Sequence, residues 1–367
     1  MGDTGAASSD YMAAVFSNPA LAAMRPADAH FGAILPFISG SVSDKDDLIN
    51  KVSDFQDLTS DMGEVYTQSG RDGISNKEQA QWKRELDGIM NSKSGVTANL
   101  TSGVALSFPI GSDFTNTLFA KTNISVLANQ HVDPKEANLD SFINNKLGSS
   151  NEFGFKNSDV SLRAVAITDL GMSVARHVET TYGNFYAGFT PKIQQIAVTG
   201  YSADVDTFSI DDFKPFDDVV KKTKYNFDAG LAYNYDNLTI GYYTHNIMKR
   251  ELEVKVDDTV EKYSVEPTHV IGMAYSRSGF TATADMDLVP EKSAFGIESK
   301  YAKFGVEYNL EEWAQIRLGY KADLLNNQDV QSVGLGFKPF GKLGVDISAQ
   351  KIGEDNYAGS LQVVLNT

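Results

Sequence analysis

The 367-residue chain contains no cysteine, which removes disulfides, thiolate metal sites and thiol catalysis and agrees with an oxidising envelope compartment. It has no uninterrupted apolar run near the roughly 18 residues that a transmembrane helix requires, and its mean hydropathy is −0.26. A helical membrane protein is excluded. Basic residues are scarce: 32 Lys and Arg stand against 48 Asp and Glu, a net charge of −16, which argues against nucleic-acid binding through an electrostatic footprint. The histidines, His30, His131, His177, His245 and His269, lie far apart without metal-ligand spacing, and no nucleophile-elbow or phosphate-loop motif appears. No catalytic residue, metal or cofactor is therefore expected. Nor does a positively charged segment with an apolar core open the chain, so a signal peptide is expected to have been removed and numbering to start at or near a mature end.

Aromatic residues and alternation are abundant. There are 21 Phe and 16 Tyr, and Tyr225 to Tyr235 presents Tyr225, Phe227, Ala229, Leu231, Tyr233 and Tyr235 on one face of a strand. Asn226, Asp228, Gly230, Ala232 and Asn234 occupy the other. Eleven residues tilted by about 45° cover about 26 Å of membrane normal, close to the apolar band of an outer-membrane barrel. One such stretch could equally be the edge of a soluble sandwich, but it recurs along the chain. Low hydropathy fits a barrel because half of each strand faces water.

Residues from Phe31 to about Ser43 form a first strand interrupted by Pro36. Helical periodicity follows at Asp44 to Gly63 (Leu48, Val52, Phe55, Leu58) and Ser75 to Ser92 (Ala80, Trp82, Leu86, Met90), with Asp44 and Ser75 as N-caps. Strands resume at Val96, and a third helix, about Pro134 to Lys146, interrupts them. Val160 to Val178 reads as one long strand, although Thr168-Asp169 could be a hairpin. Later strands include Phe185 to Thr199, Tyr263 to Ser276, Ala314 to Tyr320 and Tyr357 to Leu365. Short links near Pro109, Thr180, Asp236, Ser278, Leu310 and Pro339 alternate with longer ones, which is the outer-membrane rule. The count closes at about fourteen strands if Val160 to Val178 is unbroken.

Residues 1 to about 25 are rich in Ala, Ser and Gly and include Asn18-Pro19-Ala20. This segment resembles the N-terminal hatch of FadL-type outer-membrane transporters. More closely it is similar to the outer-membrane family named conjugal transfer protein TraF. Phe304 to Leu310, Trp313 to Asp323, Gly334 to Gly341 and Phe189 to Gln195 carry the same resemblance over most of the chain. Its closing Leu365-Asn366-Thr367 departs from the aromatic end usual for such barrels, so either the chain is trimmed or its assembly signal differs.

The expected architecture is all-β: a transmembrane barrel of about 14 antiparallel strands over 29–367, a luminal hatch at 1–28, and extracellular helical insertions at about 44–93 and 134–147. The resemblance marks Asn18, Pro19 and Ala20 as hatch residues. Alternation puts Arg163, Asp169, Lys192, Asp228, Asp285, Arg317, Lys321 and Asp346 in the lumen, where charges of both signs should pair, because an unpaired charge in a narrow interior is costly. They fill the lumen or line a substrate path. The acidic run Asp204, Asp206, Asp211, Asp212, Asp217 and Asp218 lacks the order of a calcium loop and reads as solvated.

Outer-membrane lipid and lipopolysaccharide are the expected surroundings, in a bacterial outer membrane. The resemblance implies passive uptake of small hydrophobic molecules, which could occupy the lumen. The alternative is a structural or surface-interaction barrel, linked to conjugation, that transports nothing.

Overall fold

The structure, a computed structural model, describes residues 1–26, 29–44, 50–51, 53–54, 57, 61, 64, 75–90, 95–131, 133, 158–204, 207–209, 212–213, 219–256, 259–311, 313–338, 342–353 and 356–366. Its strands in chain order are β1 Gly32–Ser43, β2 Val96–Ile110, β3 Phe114–His131, β4 Asp159–Thr180, β5 Gly183–Asp204, β6 Val220–Tyr235, β7 Leu238–His245, β8 Arg250–Val256 and β9 Thr259–Val265. They continue as β10 Thr268–Arg277, β11 Phe280–Asp287, β12 Glu291–Lys292, β13 Glu298–Ser299, β14 Tyr301–Glu311, β15 Ala314–Asp323, β16 Val330–Phe337, β17 Leu343–Ile352 and β18 Asn356–Asn366. Fourteen of these close an antiparallel barrel, with β1 pairing β18. The two remaining pairs, β8–β9 and β12–β13, form separate two-stranded sheets.

Alternation decides which face meets lipid. On β6, Tyr225, Leu231 and Tyr235 are 60–70 % exposed, whereas Asn226, Asp228 and Ala232 are buried. Leu100, Leu118, Leu170, Met273, Phe304, Leu318 and Leu361 repeat the outward exposure around the barrel. An apolar surface of this extent is stable only against lipid or a partner. Short turns at 111–113, 181–182, 236–237 and 278–279 join strands at one end, with Asp236, Ser278 and Gly279 at positive φ as tight hairpins require. β4 is one unbroken strand, so Thr168-Asp169 is not a turn.

One strand expectation holds and another needs correction. β1 runs through Pro36, and the interruption expected there is a bulge where the register to β2 shifts between Ile34 and Phe37. The expected strand from Tyr263 to Ser276 is two elements, because Glu266-Pro267 breaks the ladder between β9 and β10. β9 instead pairs with β8, from Arg250↔Val265 to Val256↔Thr259. Leu252, Val254, Tyr263 and Val265 of this hairpin bury against Val165, Ile196 and Val198, on the lumen-facing rows of β4 and β5. The hairpin therefore folds into the barrel mouth at the end away from the short turns.

Helix α1, at Asn76–Met90, follows a capping box. Ser75 donates through its backbone N–H and its hydroxyl to Glu78, and the Glu78 N–H returns a bond to Ser75 Oγ at 3.2 Å. The bonds from Ser75 hold the Glu78 carboxyl below its ordinary range. Trp82 is buried. Scattered positions between 50 and 64 are helical; Leu48, Val52, Phe55, Leu58, the helix expected at 134–147, and Asp206, Asp211, Asp217 and Asp218 lie outside the described residues, as do the side chains of Leu86 and Met90.

Candidate functional site: the barrel lumen

The N-terminal segment touches the inner wall around the whole circumference. Tyr11, Met12 and Val15 pack with Ile34 of β1, Ala105 of β2, Phe119 of β3 and Val364 of β18. Ala20 to Ala23, in a 3-10 turn at Pro19–Ala23, pack on Ala175, Tyr186 and Ala232 of β4, β5 and β6. Gly2 N–H reaches Ser332 of β16 at 3.1 Å. Contacts with strands on opposite sides put residues 1–23 within the lumen.

Local chemistry explains the path of this segment. Asn18 caps the turn by accepting from Ala20 N–H at 3.1 Å, with Pro19 at the first position, where a missing N–H is harmless. Its amide donates to Ala6 O at 2.7 Å and Leu231 O at 3.1 Å, tying two parts of the segment to β6. Asp285 Oδ2 accepts from Gly5 and Ala6 N–H at 2.7 and 2.8 Å. Asp3 lies 3.9 Å from Lys303 and 3.7 Å from Lys321. Arg25 donates to Gly111 O at the short turn after β2.

Sequence reasoning overlooked what lets the segment approach so closely. Inner-face glycines form a belt: Gly188 pairs with Gly230, Gly241 with Gly272, and Gly305 with Gly319. A Cβ at Gly188 would collide with Pro19, at Gly230 with Asn18, at Gly241 with the Ala6 carbonyl and at Gly319 with Gly2. The signal was present in Tyr186-Ala-Gly, Asp228-Ala-Gly, Thr239-Ile-Gly and Val270-Ile-Gly, whose glycines all fall on the polar side of the alternation.

The charged lumen residues separate into clusters. Lys192 is 3.0 Å from both Asp169 and Asp228, and Gln194 donates to Asp169 at 2.9 Å. Asp228 also accepts from Asn246 N–H and faces His245 Nδ1 at 3.3 Å, while Asn226 donates to Gln194. Buried charges tolerate this setting because nearly every polar atom is paired. Arg317 pairs with Glu307 at 2.6 Å and with Asp346. Arg163 stands apart, holding the inserted hairpin through Glu261 at 2.9 Å. Asn246, His245 and Glu261 were not expected as lumen residues; they follow strand ends or lie on the unforeseen hairpin.

Two spaces adjoin these clusters. Between the hairpin and the inner wall lies a polar chamber of about 380 Å³, lined by Asn99, Lys121, Asn123, Asp169, Gln194 and Glu266 among others. Nearer the short-turn end is an apolar seam. β4 and β5 pair as far as Gly171↔Lys192 and resume at Val174↔Phe189, leaving Met172, Ser173, Thr190 and Pro191 out of the ladder. Pro191 has no N–H to offer. On the inner side the Phe119 ring covers Gly171, where a Cβ would lie 2.7 Å from a ring carbon, and Phe16 meets Phe119 edge-on at 5.9 Å. On the lipid side a groove of about 570 Å³ is lined by Leu118, Leu170, Met172, Pro191, Ile193 and Tyr225.

Comparison with known proteins agrees with this architecture. A FadL homologue from Pseudomonas aeruginosa superposes with a TM-score of 0.54 at 12% identity, covering 97% of this chain and 93% of that one. The Ralstonia pickettii toluene transporter TbuX gives 0.51 at 11%, covering 100% and 95%. A deltaS2S3 mutant of the monoaromatic hydrocarbon channel TodX gives 0.53 at 12%, covering 100% and 96%. At such identities the likeness is one of fold: a FadL-like outer-membrane β-barrel. No curated protein matches in sequence. Residues 15–287 match the TraF_2 family, described as F plasmid transfer operon, TraF, protein. The chain thus belongs to the TraF_2 family and has the FadL-type barrel fold.

Proposed function

We propose that this protein is a passive channel that admits small hydrophobic molecules across the outer membrane, with residues 1–28 as its hatch. The observation that carries the reading is the seam between β4 and β5, where an aromatic lining inside faces an apolar groove outside across four residues without ladder pairing. A solute leaving there passes from lumen to lipid without crossing an unbroken row of backbone hydrogen bonds. The buried ion pairs and the hatch block a wide aqueous pore, so hydrophilic solutes are excluded. FadL-type neighbours described as a toluene transporter and a monoaromatic hydrocarbon channel support the same substrate class.

The test is flux into liposomes. Purified protein should accelerate entry of toluene or another monoaromatic over that of a sugar of similar size. Equal entry of both at the rate of empty liposomes would end the transport reading and favour a surface-interaction barrel, the role that the family's transfer-operon description suggests.

A further inference from the structure

The seam between β4 and β5 carries two groups that an exit for pure hydrocarbons does not need. Gly171↔Lys192 and Val174↔Phe189 share one register, which sets Ser173 opposite Thr190 in the interval without ladder pairs. Both side chains project to the inner face, in step with Asp169 and Lys192, and both residues are 0 % exposed. Neither hydroxyl has a protein partner. Directly opposite positions hold their Cβ atoms about 4.5–5.5 Å apart, so a single oxygen set between the two hydroxyls can reach both.

Stability does not account for them. Burying a hydroxyl without a bond costs free energy, and alanine in place of serine would avoid that cost, as Ala175 does at the next inner position of β4. Hydroxyls on the two neighbouring strands do pair: Ser107 of β2 and Thr117 of β3 are 2.9 Å apart. Thr115, Thr244 and Thr283 are also buried without a partner, but each stands within ladder pairs. Among the described residues, then, two such hydroxyls face each other at the seam.

The surroundings define what would fit between them. Inside, Phe16 meets Phe37 at 5.1 Å and Phe119 at 5.9 Å; on the outer face Phe189 stacks on Phe227 at 5.6 Å. Rings on both sides of the wall suit a flat aromatic solute. At the upper end of the seam Lys192 stands 3.0 Å from both Asp169 and Asp228, so it has no spare charge for an anion. A carboxylate-bearing solute is disfavoured there. A phenol meets every condition: with a pKa of about 10, like the tyrosine hydroxyl, it is neutral at neutral pH, and it donates and accepts at one oxygen.

We propose that the seam favours phenols over hydrocarbons of equal size, Ser173 and Thr190 taking the solute hydroxyl while Phe16 and Phe119 flank its ring. This selectivity rests on the protein being a channel. Both hydroxyls are covered while residues 1–23 are seated, so the solute meets them as the rings over the seam give way.

Protein in lipid nanodiscs is titrated with para-fluorophenol and para-fluorotoluene, which differ by a hydroxyl in place of a methyl, and binding is read by fluorine NMR against empty nanodiscs. The phenol should bind about 5-fold more tightly, as hydrogen bonds to otherwise unpaired hydroxyls allow. Ser173→Ala/Thr190→Val should bring the two solutes to equal affinity, and Ser173→Ala alone should remove part of the preference. Thr283→Val, away from the seam, should leave it intact. Equal binding of both solutes by the wild type overturns the proposal, and so does undiminished preference in a double variant that keeps heat-modifiable migration. Binding of para-fluorobenzoate as tight as that of the phenol would also overturn it, by assigning recognition to Lys192. Toluene entry into liposomes made with the same preparation separates selectivity from transport. Entry above that of empty liposomes, with equal binding of the two solutes, leaves the channel and removes its selectivity; entry no faster than into empty liposomes removes the channel itself.

Discussion

Asn18 and Gly230 share one volume: the Asn18 side chain occupies the space that a Cβ on residue 230 would need, and its amide bonds to Leu231 O next along β6. The luminal segment is seated by what the wall omits as much as by what it offers. Gly241 stands in the same relation to the Ala6 carbonyl. Gly241→Ala should therefore lift residues 1–23 from the wall while leaving the outer rows, and so barrel insertion, unchanged. With cysteine otherwise absent, Ala6→Cys serves as the reporter: slow labelling by a bulky maleimide alone, and labelling about 10-fold faster with Gly241→Ala, since the lost contacts are worth at least one hydrogen bond. Equal rates would mean that the belt does not hold the segment.

The two faces of β6 differ in what a substitution removes. Leu231 projects 60 % exposed into the apolar band, and Leu231→Arg should cost about 2–4 kcal/mol if it lies near the midplane. Asn226, on the inner face, bonds to Gln194, Met248 O and Met248 N–H. Asn226→Ala should cost about 1–3 kcal/mol by leaving those groups unpaired. Urea unfolding in micelles would measure both. A neutral Leu231→Arg would contradict the lipid-facing assignment.

How far the sequence carried the fold depended on period. Strands such as β4 and β6 were legible because one set of side chains meets lipid and the other the lumen, which forces strict alternation. The β8–β9 hairpin also alternates, with Leu252 and Val254 between Glu251, Glu253 and Lys255. It escaped notice because a luminal hairpin and a wall strand leave the same period-two trace, and only Glu266-Pro267 hints that Tyr263 and Ser276 belong to different elements. The lumen charges were readable as a face, but their partners were not. Lys192 meets Asp169 from β4 and Asp228 from β6, and such a meeting depends on register, which the hydrophobic pattern leaves open.

Lys192 is the cation between two buried carboxylates, so removing it exposes their repulsion. Lys192→Met should destabilise the barrel by about 3–5 kcal/mol, because both Asp169 and Asp228 lose their counter-charge. Adding Asp228→Asn to that variant should recover part of the loss, since one uncompensated charge is gone. Denaturant midpoints of the single and double variants decide the matter; a double variant less stable than Lys192→Met alone would assign Asp228 to His245 and Asn246 rather than to the lysine.

Pro191 links wall stability to the proposed route. Its ring removes a ladder donor where pairing between β4 and β5 lapses, and the neighbouring Ser173 and Thr190 hydroxyls are buried with no protein partner. Pro191→Val restores an N–H and a strand-favouring side chain without adding charge. Closing the seam should raise the unfolding midpoint, as an added backbone hydrogen bond contributes about 0.5–1.5 kcal/mol, and should slow toluene entry into liposomes several-fold while sugar exclusion stays as in the wild type. Stability and flux would then move in opposite directions, which a merely structural irregularity would not produce. If Pro191→Val stabilises the barrel and toluene enters as fast as before, solute leaves by another path and the seam is only a packing fault.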